Sequence, residues 1–172
     1  MAVFTAITPG EAREILAHYE LGDFISLRGI PAGIENTNYF LETTGGAWVL
    51  TVFERLSFAE LPYYLELMQH LAVRGLPVPR PQLTHAGQLM SSFAGKPLAI
   101  VPRLPGRDVE APSVHQCALM GEMLARLHLA ATDFPHFQPN LRGIGWWKDT
   151  APRLEPFLPA ETFELLAEEV VF

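Results

Sequence analysis

Gly33-Ile34-Glu35-Asn36-Thr37-Asn38-Tyr39-Phe40-Leu41 decides the reading of the fold: a glycine-bearing turn followed by short polar side chains runs directly into an aromatic and apolar strand. On either side, Phe24 to Leu27 and Trp48 to Phe53 are again rich in aromatic and β-branched residues, and turns at Gly29 to Gly33 and Gly45-Gly46 separate the three runs. Three consecutive antiparallel strands are predicted, with Tyr39 to Glu42 as the middle one. Ahead of them, Thr8-Pro9-Gly10-Glu11 has the T-x-x-E spacing of a capping box with proline at the first helical position. Ala12, Ile15, Leu16 and Tyr19 follow at helical intervals, so a short amphipathic helix opens the chain.

After the third strand, Leu61, Tyr64, Leu65, Met68, Leu71 and Ala72 mark one face of a helix over 61–73, with Pro62 in its first turn and Gly75 as its stop. Pro77, Pro79 and Pro81 then enforce an extended run, and Gln88 to Phe93 with Pro97 to Val101 read as a hairpin around Ala94-Gly95-Lys96. The count is five strands and a helix. At Leu104-Pro105-Gly106-Arg107-Asp108 the pattern breaks, and only helical periodicity follows. A boundary is therefore placed there, dividing the chain into 1–103 and 104–172. Cys117, Met120, Leu124, Leu127, His128 and Ala131 form a helical stripe wide enough to be buried on one side. A loop over Asp133 to Gly145 leads to a short helix near Trp146 to Leu154 and another from Glu161. That last helix keeps Leu165, Leu166, Val170, Val171 and Phe172 with no stop signal, which predicts that the natural chain continues. The faces bearing Leu124, Leu127, Leu166 and Val170 are then expected to lack part of their cover.

With 172 residues, 49% hydrophobic and 18% charged, the chain has ample material for a core and is not of a disordered type. A net charge of -7 offers no broad attraction to nucleic acid or to an anionic membrane surface. The first residues lack a basic segment followed by an apolar run, and no apolar stretch reaches the roughly 18 residues of a membrane span, so a cytoplasmic protein is expected. Cys117 is the only cysteine, which excludes an intrachain disulfide, and its apolar neighbours predict a buried thiol. The six histidines share no metal-ligand spacing. His128, on its helix stripe, reads as a packing residue.

Strand, glycine turn, strand, strand, helix, two strands and a hinge into helices is the order of a protein-kinase-like amino-terminal lobe, an α+β fold. The residues carry a more specific resemblance. Leu27-Arg28-Gly29-Ile30, the run GIENTNYFL from Gly33, and Trp48-Val49-Leu50-Thr51-Val52-Phe53-Glu54 resemble homoserine kinase of the aminoglycoside phosphotransferase and choline kinase-like superfamily. Further matches are Glu60 to Leu65, Gly75 to Pro81, Leu124-Ala125-Arg126-Leu127-His128, Gly145-Trp146-Trp147 and Thr150 to Arg153. The resemblance spans essentially the whole chain but only the first half of the family's length.

The resemblance implies that the loop with Gly33, Asn36, Thr37 and Asn38 covers nucleotide phosphates, where glycine permits close backbone approach and short polar side chains offer donors. The same pattern also fits a plain hairpin turn with exposed polar residues. Kinase-like folds place a lysine on the third strand, paired with a helix glutamate, yet the corresponding residue is Thr51, which brings a hydroxyl and no charge. Glu66, the acid nearest the helix position, fits a solvated face as well as a functional one. Ala99 to Gly106 resembles the adenine-contacting hinge, with the Pro102 carbonyl as acceptor and the Leu104 N–H as donor; an ordinary strand end is the alternative. Trp146-Trp147 could line an amino-acid pocket or anchor a helix.

Taken together, the resemblance implies ATP-dependent phosphorylation of the L-homoserine hydroxyl in threonine biosynthesis, with ATP and Mg²⁺ as cofactors and ATP and L-homoserine as partners. The implied H-G-D-x-x-x-x-N catalytic loop and metal-binding aspartate are not in residues 1–172, so no catalytic or metal-ligating residue is assigned and these 172 residues alone are expected to be inactive. A choline or aminoglycoside kinase, or a nonenzymatic nucleotide-binding module, are the alternatives.

Overall fold

Thr8 caps α1 (Pro9–Leu16) as its spacing demands: its hydroxyl accepts the Glu11 N–H at 3.3 Å, and the Glu11 carboxylate accepts the Thr8 N–H at 2.7 Å. The helix buries Ala12, Ile15 and Leu16. The computed structural model describes residues 3–171, Val171 by its backbone alone; Phe172, the end of the expected apolar run, lies outside them.

β1 (Phe24–Gly29), β2 (Asn36–Thr43), β3 (Gly46–Phe53), β4 (Ser91–Phe93) and β5 (Lys96–Pro102) form one sheet in the order β1-β2-β3-β5-β4. Every pairing is antiparallel. The predicted five-stranded antiparallel sheet is thus the observed one, and α2 (Leu61–Val73) stands where the apolar stripe put it. The β4–β5 hairpin closes through Ala94 and Gly95 at φ of 49° and 76°. With Phe93 paired to Lys96, positive φ at both central residues is the two-residue hairpin turn that matches the twist of the strands.

Alternation along the strands gives the sheet two apolar layers. Tyr39 and Leu41, Leu50 and Val52, and Leu98 and Ile100 face α1 and form the main core with Ile7, Ile15, Tyr19 and Leu21. Ala99, on the opposite face, joins Leu61 and Leu65 of α2 in a second cluster with Phe53 and Met68 at its margin.

The chain ahead of α1 is sewn onto this sheet by polar groups. Tyr39 Oη donates to the Thr5 carbonyl at 2.9 Å and accepts the Ile7 N–H at 3.0 Å. Thr37, fully buried, accepts the N–H groups of Phe4 and Thr5 and donates to Glu54 Oε1 at 2.6 Å. Thr5 Oγ1 also donates to Glu54, at 2.7 Å, and Lys96 Nζ bonds both Thr5 Oγ1 and the other Glu54 oxygen. Burial opposes the Glu54 charge, but bonds from Lys96, Thr37 and Thr5 together outweigh it and hold the carboxyl below its usual range.

The chain separates into two compact units, Met1–His136 and Phe137–Phe172. α3 (Val114–Ala130) lies in the first, capped by a Ser113–Gln116 box, and has no buried residue. Two expectations are corrected by it. Cys117 is exposed rather than in a core, and His128, the expected packing residue, is exposed as well. The apolar stripe was read correctly, but no other element of its unit covers it along its length, and a stripe fixes only which face can be buried. Leu124 is 46% exposed and Leu127 half-buried, as expected of a face short of cover. In the second unit, α4 (Ile144–Thr150) runs into a 3-10 helix (Ala151–Phe157) and then α5 (Ala160–Val171). Leu166 is half-buried there, but Val170 is buried, against the expectation for that face.

The Glu54 network gives a pH-dependent prediction. Glu54→Gln should cost about 1–3 kcal/mol in urea denaturation at pH 7, because it removes the acceptor of a charge-assisted bond at a side chain only 11% exposed. A carboxyl held low in the folded state contributes stability above its unfolded pKa and loses it as pH falls through the folded value. The gap between wild type and variant should therefore close progressively below about pH 4.3. A gap that stays constant from pH 7 to pH 3 would show that the Glu54 charge contributes nothing.

Candidate functional site

Residues that alternate with the core side chains build the candidate site, and they lie on the α2 side of the sheet. On β2 these are Asn36, Asn38 and Phe40; on β3, Val49 and Thr51; on β5, Ala99 and Val101. Asn38 stands opposite Thr51, and Thr51 opposite Ala99, so three strands contribute to one rung. Thr51 Oγ1 donates to Asn38 Oδ1 at 2.8 Å. The bond turns the Asn38 carboxamide oxygen toward Thr51 and leaves the amide N–H groups as donors. Thr51 is thus tied to a neutral partner.

Gly33 lies in the loop before β2 at φ +135°, a backbone region that side-chain-bearing residues rarely adopt, and it is exposed. Asn36 opens β2 opposite Phe53. Thr37, read with its neighbours as a phosphate donor, belongs elsewhere: it faces the core and its hydroxyl is spent on Phe4, Thr5 and Glu54. Period two separates it from Asn36 and Asn38.

At the far end, Pro102 pairs with Trp48 and closes β5. The Arg103 N–H donates to the Ala47 carbonyl at 3.0 Å. In an antiparallel ladder the next residue's groups point the other way, so the Pro102 carbonyl is directed away from β3. The Leu104 N–H finds no partner among the described residues, and Leu104 is 45% exposed. One main-chain acceptor and one donor thus stand two residues apart at the edge of an apolar face carrying Val49, Ala99 and Val101.

Sequence reasoning passed over three residues of this face. Phe40, one strand repeat from Asn38, carries the Arg103 guanidinium 4.3 Å and the Arg28 guanidinium 5.1 Å from its ring centre. Alternation from Asn38 would have placed Phe40; Arg28 needs the register that sets it opposite Phe40, and Arg103 needs the β3–β5 pairing. Glu66 meets His136, Oε2 to Nε2 at 3.0 Å, and not a strand cation. It belongs to a stripe of α2, with Tyr63, His70 and Arg74, that receives the segment after α3. Asp133 takes Arg74 at 2.5 Å and His70 Nε2 at 3.2 Å, the Ala130 carbonyl lies 3.0 Å from the same nitrogen, and the Phe134 ring stands edge-on to Tyr63, His70 and His136. Trp146 and Trp147 meet edge to face, half-exposed, with Trp147 Nε1 donating to the Arg142 carbonyl. No group of three or more acids, histidines or cysteines among the described residues could hold a metal ion, and no helix is long and apolar enough to cross a membrane.

Residues 26–170 match the model of the phosphotransferase enzyme family. The chain belongs to that family. Among its relatives it is 51% identical over all 172 residues to a homoserine kinase of Paraburkholderia xenovorans (strain LB400), covering 52% of that protein. It is 49% identical over 170 residues to one from Burkholderia mallei (strain SAVP1), covering 51%. The chain spans about half the length of these relatives. In fold it resembles the spectinomycin phosphotransferase APH(9)-Ia solved with ADP and spectinomycin, with a TM-score of 0.69 at 12% identity over 88% of this chain and 47% of that one. The amicoumacin kinase hAmiN, solved with AMP-PNP, Ca²⁺ and Ami, gives a TM-score of 0.59 at 20% identity over 86% and 51%. A protein-kinase-like α+β fold, expected from the order of strands and helices, is the fold of these neighbours.

The Asn38–Thr51 bond can be tested alone. Thr51→Val preserves volume and removes the donor, and should lower stability in urea by about 0.5–1.5 kcal/mol, whereas Thr51→Ser should recover most of it. Wild-type stability in Thr51→Val would mean that the bond contributes nothing to the rung.

Proposed function

We propose that these residues form the nucleotide-binding half of a homoserine kinase, a protein about twice this length that transfers the γ-phosphoryl group of ATP to the hydroxyl of L-homoserine. The observation that carries this reading is 51% identity to a homoserine kinase along the entire chain. The products are ADP and O-phospho-L-homoserine, an intermediate on the way to threonine, and the enzyme works in the cytoplasm. In the reaction the substrate hydroxyl oxygen bonds to the γ phosphorus, the bond to the β–γ bridging oxygen breaks, and the hydroxyl proton passes to a base. That base and the Mg²⁺ ligands belong to a part of the protein beyond these residues. Mg²⁺, when bound, neutralises phosphate charge.

Within the chain, Gly33, Asn36 and Asn38 approach the phosphates, Thr51 orients Asn38, and Pro102 and Leu104 take the adenine edge. Residues 1–103 are one lobe in this reading, and 104–172 begin the second. Catalysis then rests on positioning and charge neutralisation rather than covalent chemistry. ADP release by the full-length protein, measured with L-homoserine, choline or an aminoglycoside as acceptor, tests the assignment. Turnover that depends on L-homoserine is expected. A preference for either other acceptor would reassign the substrate, and no turnover with any of them would leave a nucleotide-binding module.

The hinge has its own test. Leu104→Pro deletes the N–H and keeps an apolar side chain, so ATP affinity of the full-length protein should fall by roughly 1–3 kcal/mol. Leu104→Met retains the N–H and should cost little. Thermal unfolding of both variants without ligand separates this loss from distortion of the hinge, and unchanged affinity in folded Leu104→Pro would reject the placement.

A further inference from the structure

A triphosphate demands positive charge, and the rung where kinase-like folds keep a lysine holds Thr51 instead. The sequence has two lysines, Lys96 and Lys148, and only Lys96 lies in the unit that carries the sheet. Lys96 is spent on Glu54 and Thr5, and it alternates with Leu98 and Ile100, on the α1 face rather than the Thr51 face. Positive charge beyond that of a bound metal ion then has to come from another residue.

Two guanidinium groups already stand on the right face. Arg28 and Arg103 both lie over the ring of Phe40, and Phe40 is two residues from Asn38 on the same side of β2. Two residues along a strand span about 7 Å, a distance that an arginine side chain covers by changing rotamer. Both arginines are exposed, and neither makes an ion pair among the described residues. Glu42, the acid on the same face, takes the Ser26 hydroxyl at 3.3 Å. Two like charges on one aromatic ring are weakly held, by an interaction that phosphate oxygens outcompete because they accept paired, charge-assisted bonds from guanidinium. The other arginine on a ring, Arg13 over Phe24, sits at α1 on the core side of the sheet.

We propose that Arg28 and Arg103 supply the positive charge that a β3 lysine would bring, leaving the Phe40 ring to bind the phosphate groups of a nucleoside triphosphate. Phe40 is then the resting place that keeps both side chains near the site and extended. The inference rests on the nucleotide-binding reading above.

Calorimetric titration of the full-length protein with ATP, ADP and adenosine at two salt concentrations tests it. The double variant Arg28→Gln/Arg103→Gln should bind ATP at least tenfold more weakly, with ADP also weakened and adenosine changed by less than twofold. Its ATP affinity should depend less on salt. Lysine at both positions should restore part of the loss, and Arg13→Gln should behave as wild type. If the double variant fails to fold, by thermal unfolding without ligand, the two single glutamine variants carry the comparison. ATP affinity unchanged in the folded variants, or adenosine weakened as much as ATP, overturns the assignment. Wild-type protein that binds no ATP overturns the nucleotide-binding reading itself, which distinguishes the two failures.

Discussion

Register in β2 is the constraint on which everything else rests. With Tyr39 opposite Leu50 and Asn38 opposite Thr51, the strand gives Thr37, Tyr39 and Leu41 to the core and Asn36, Asn38 and Phe40 to the other face. A slip of one residue would exchange the two sets. It would bury two carboxamides under α1 and expose the tyrosine that ties down the chain ahead of that helix. The polar bonds of Thr37 and Tyr39 therefore do more than satisfy buried groups. They make the correct register the only one in which the segment from Phe4 to Ile7 has partners.

The two faces also divide the charges. Glu54 and Lys96 neutralise one another where the N-terminal segment crosses the edge of the core, a pairing that fixes structure and leaves no charge over. On the Thr51 face, Arg28 and Arg103 make no ion pair among the described residues. An aromatic side chain that carries two arginines stores charge without neutralising it, whereas a lysine salt-bridged to a helix acid would be held rigidly in one place. With Glu66 joined to His136, the helix acid is not on offer for such a bridge.

Legibility followed the range of the physics involved. Local signals are legible directly: the Thr8 capping box, the period of α2 and the hairpin around Ala94-Gly95-Lys96 each depend on a few consecutive residues. The location of Gly33, Asn36, Asn38 and Thr51 along the strands was equally plain. Which side each faced was not drawn out, and Thr37 was consequently grouped with the site although its neighbours' alternation excludes it. Arg28 and Arg103 were invisible for a stronger reason, since 75 residues separate them and only pairing across β1, β2, β3 and β5 brings them to one ring. Cys117 failed differently. Its helix periodicity was correct, but burial needs a second surface, and hydrophobic periodicity does not say whether that surface is present.

His70 carries a consequence of its own. Its Nε2 faces the Ala130 carbonyl and an Asp133 oxygen, and both can only accept, so the proton of the neutral ring must sit on that nitrogen. The ring is thus a donor to both oxygens through that one nitrogen, and Nδ1 takes no part in either contact. Asp133, held below its ordinary range chiefly by the Arg74 hydrogen bond, keeps its charge as the medium turns acidic. One ring nitrogen thus fastens the last turn of α2 to the end of α3, and Arg74, one turn further on, is the second donor to the same carboxylate.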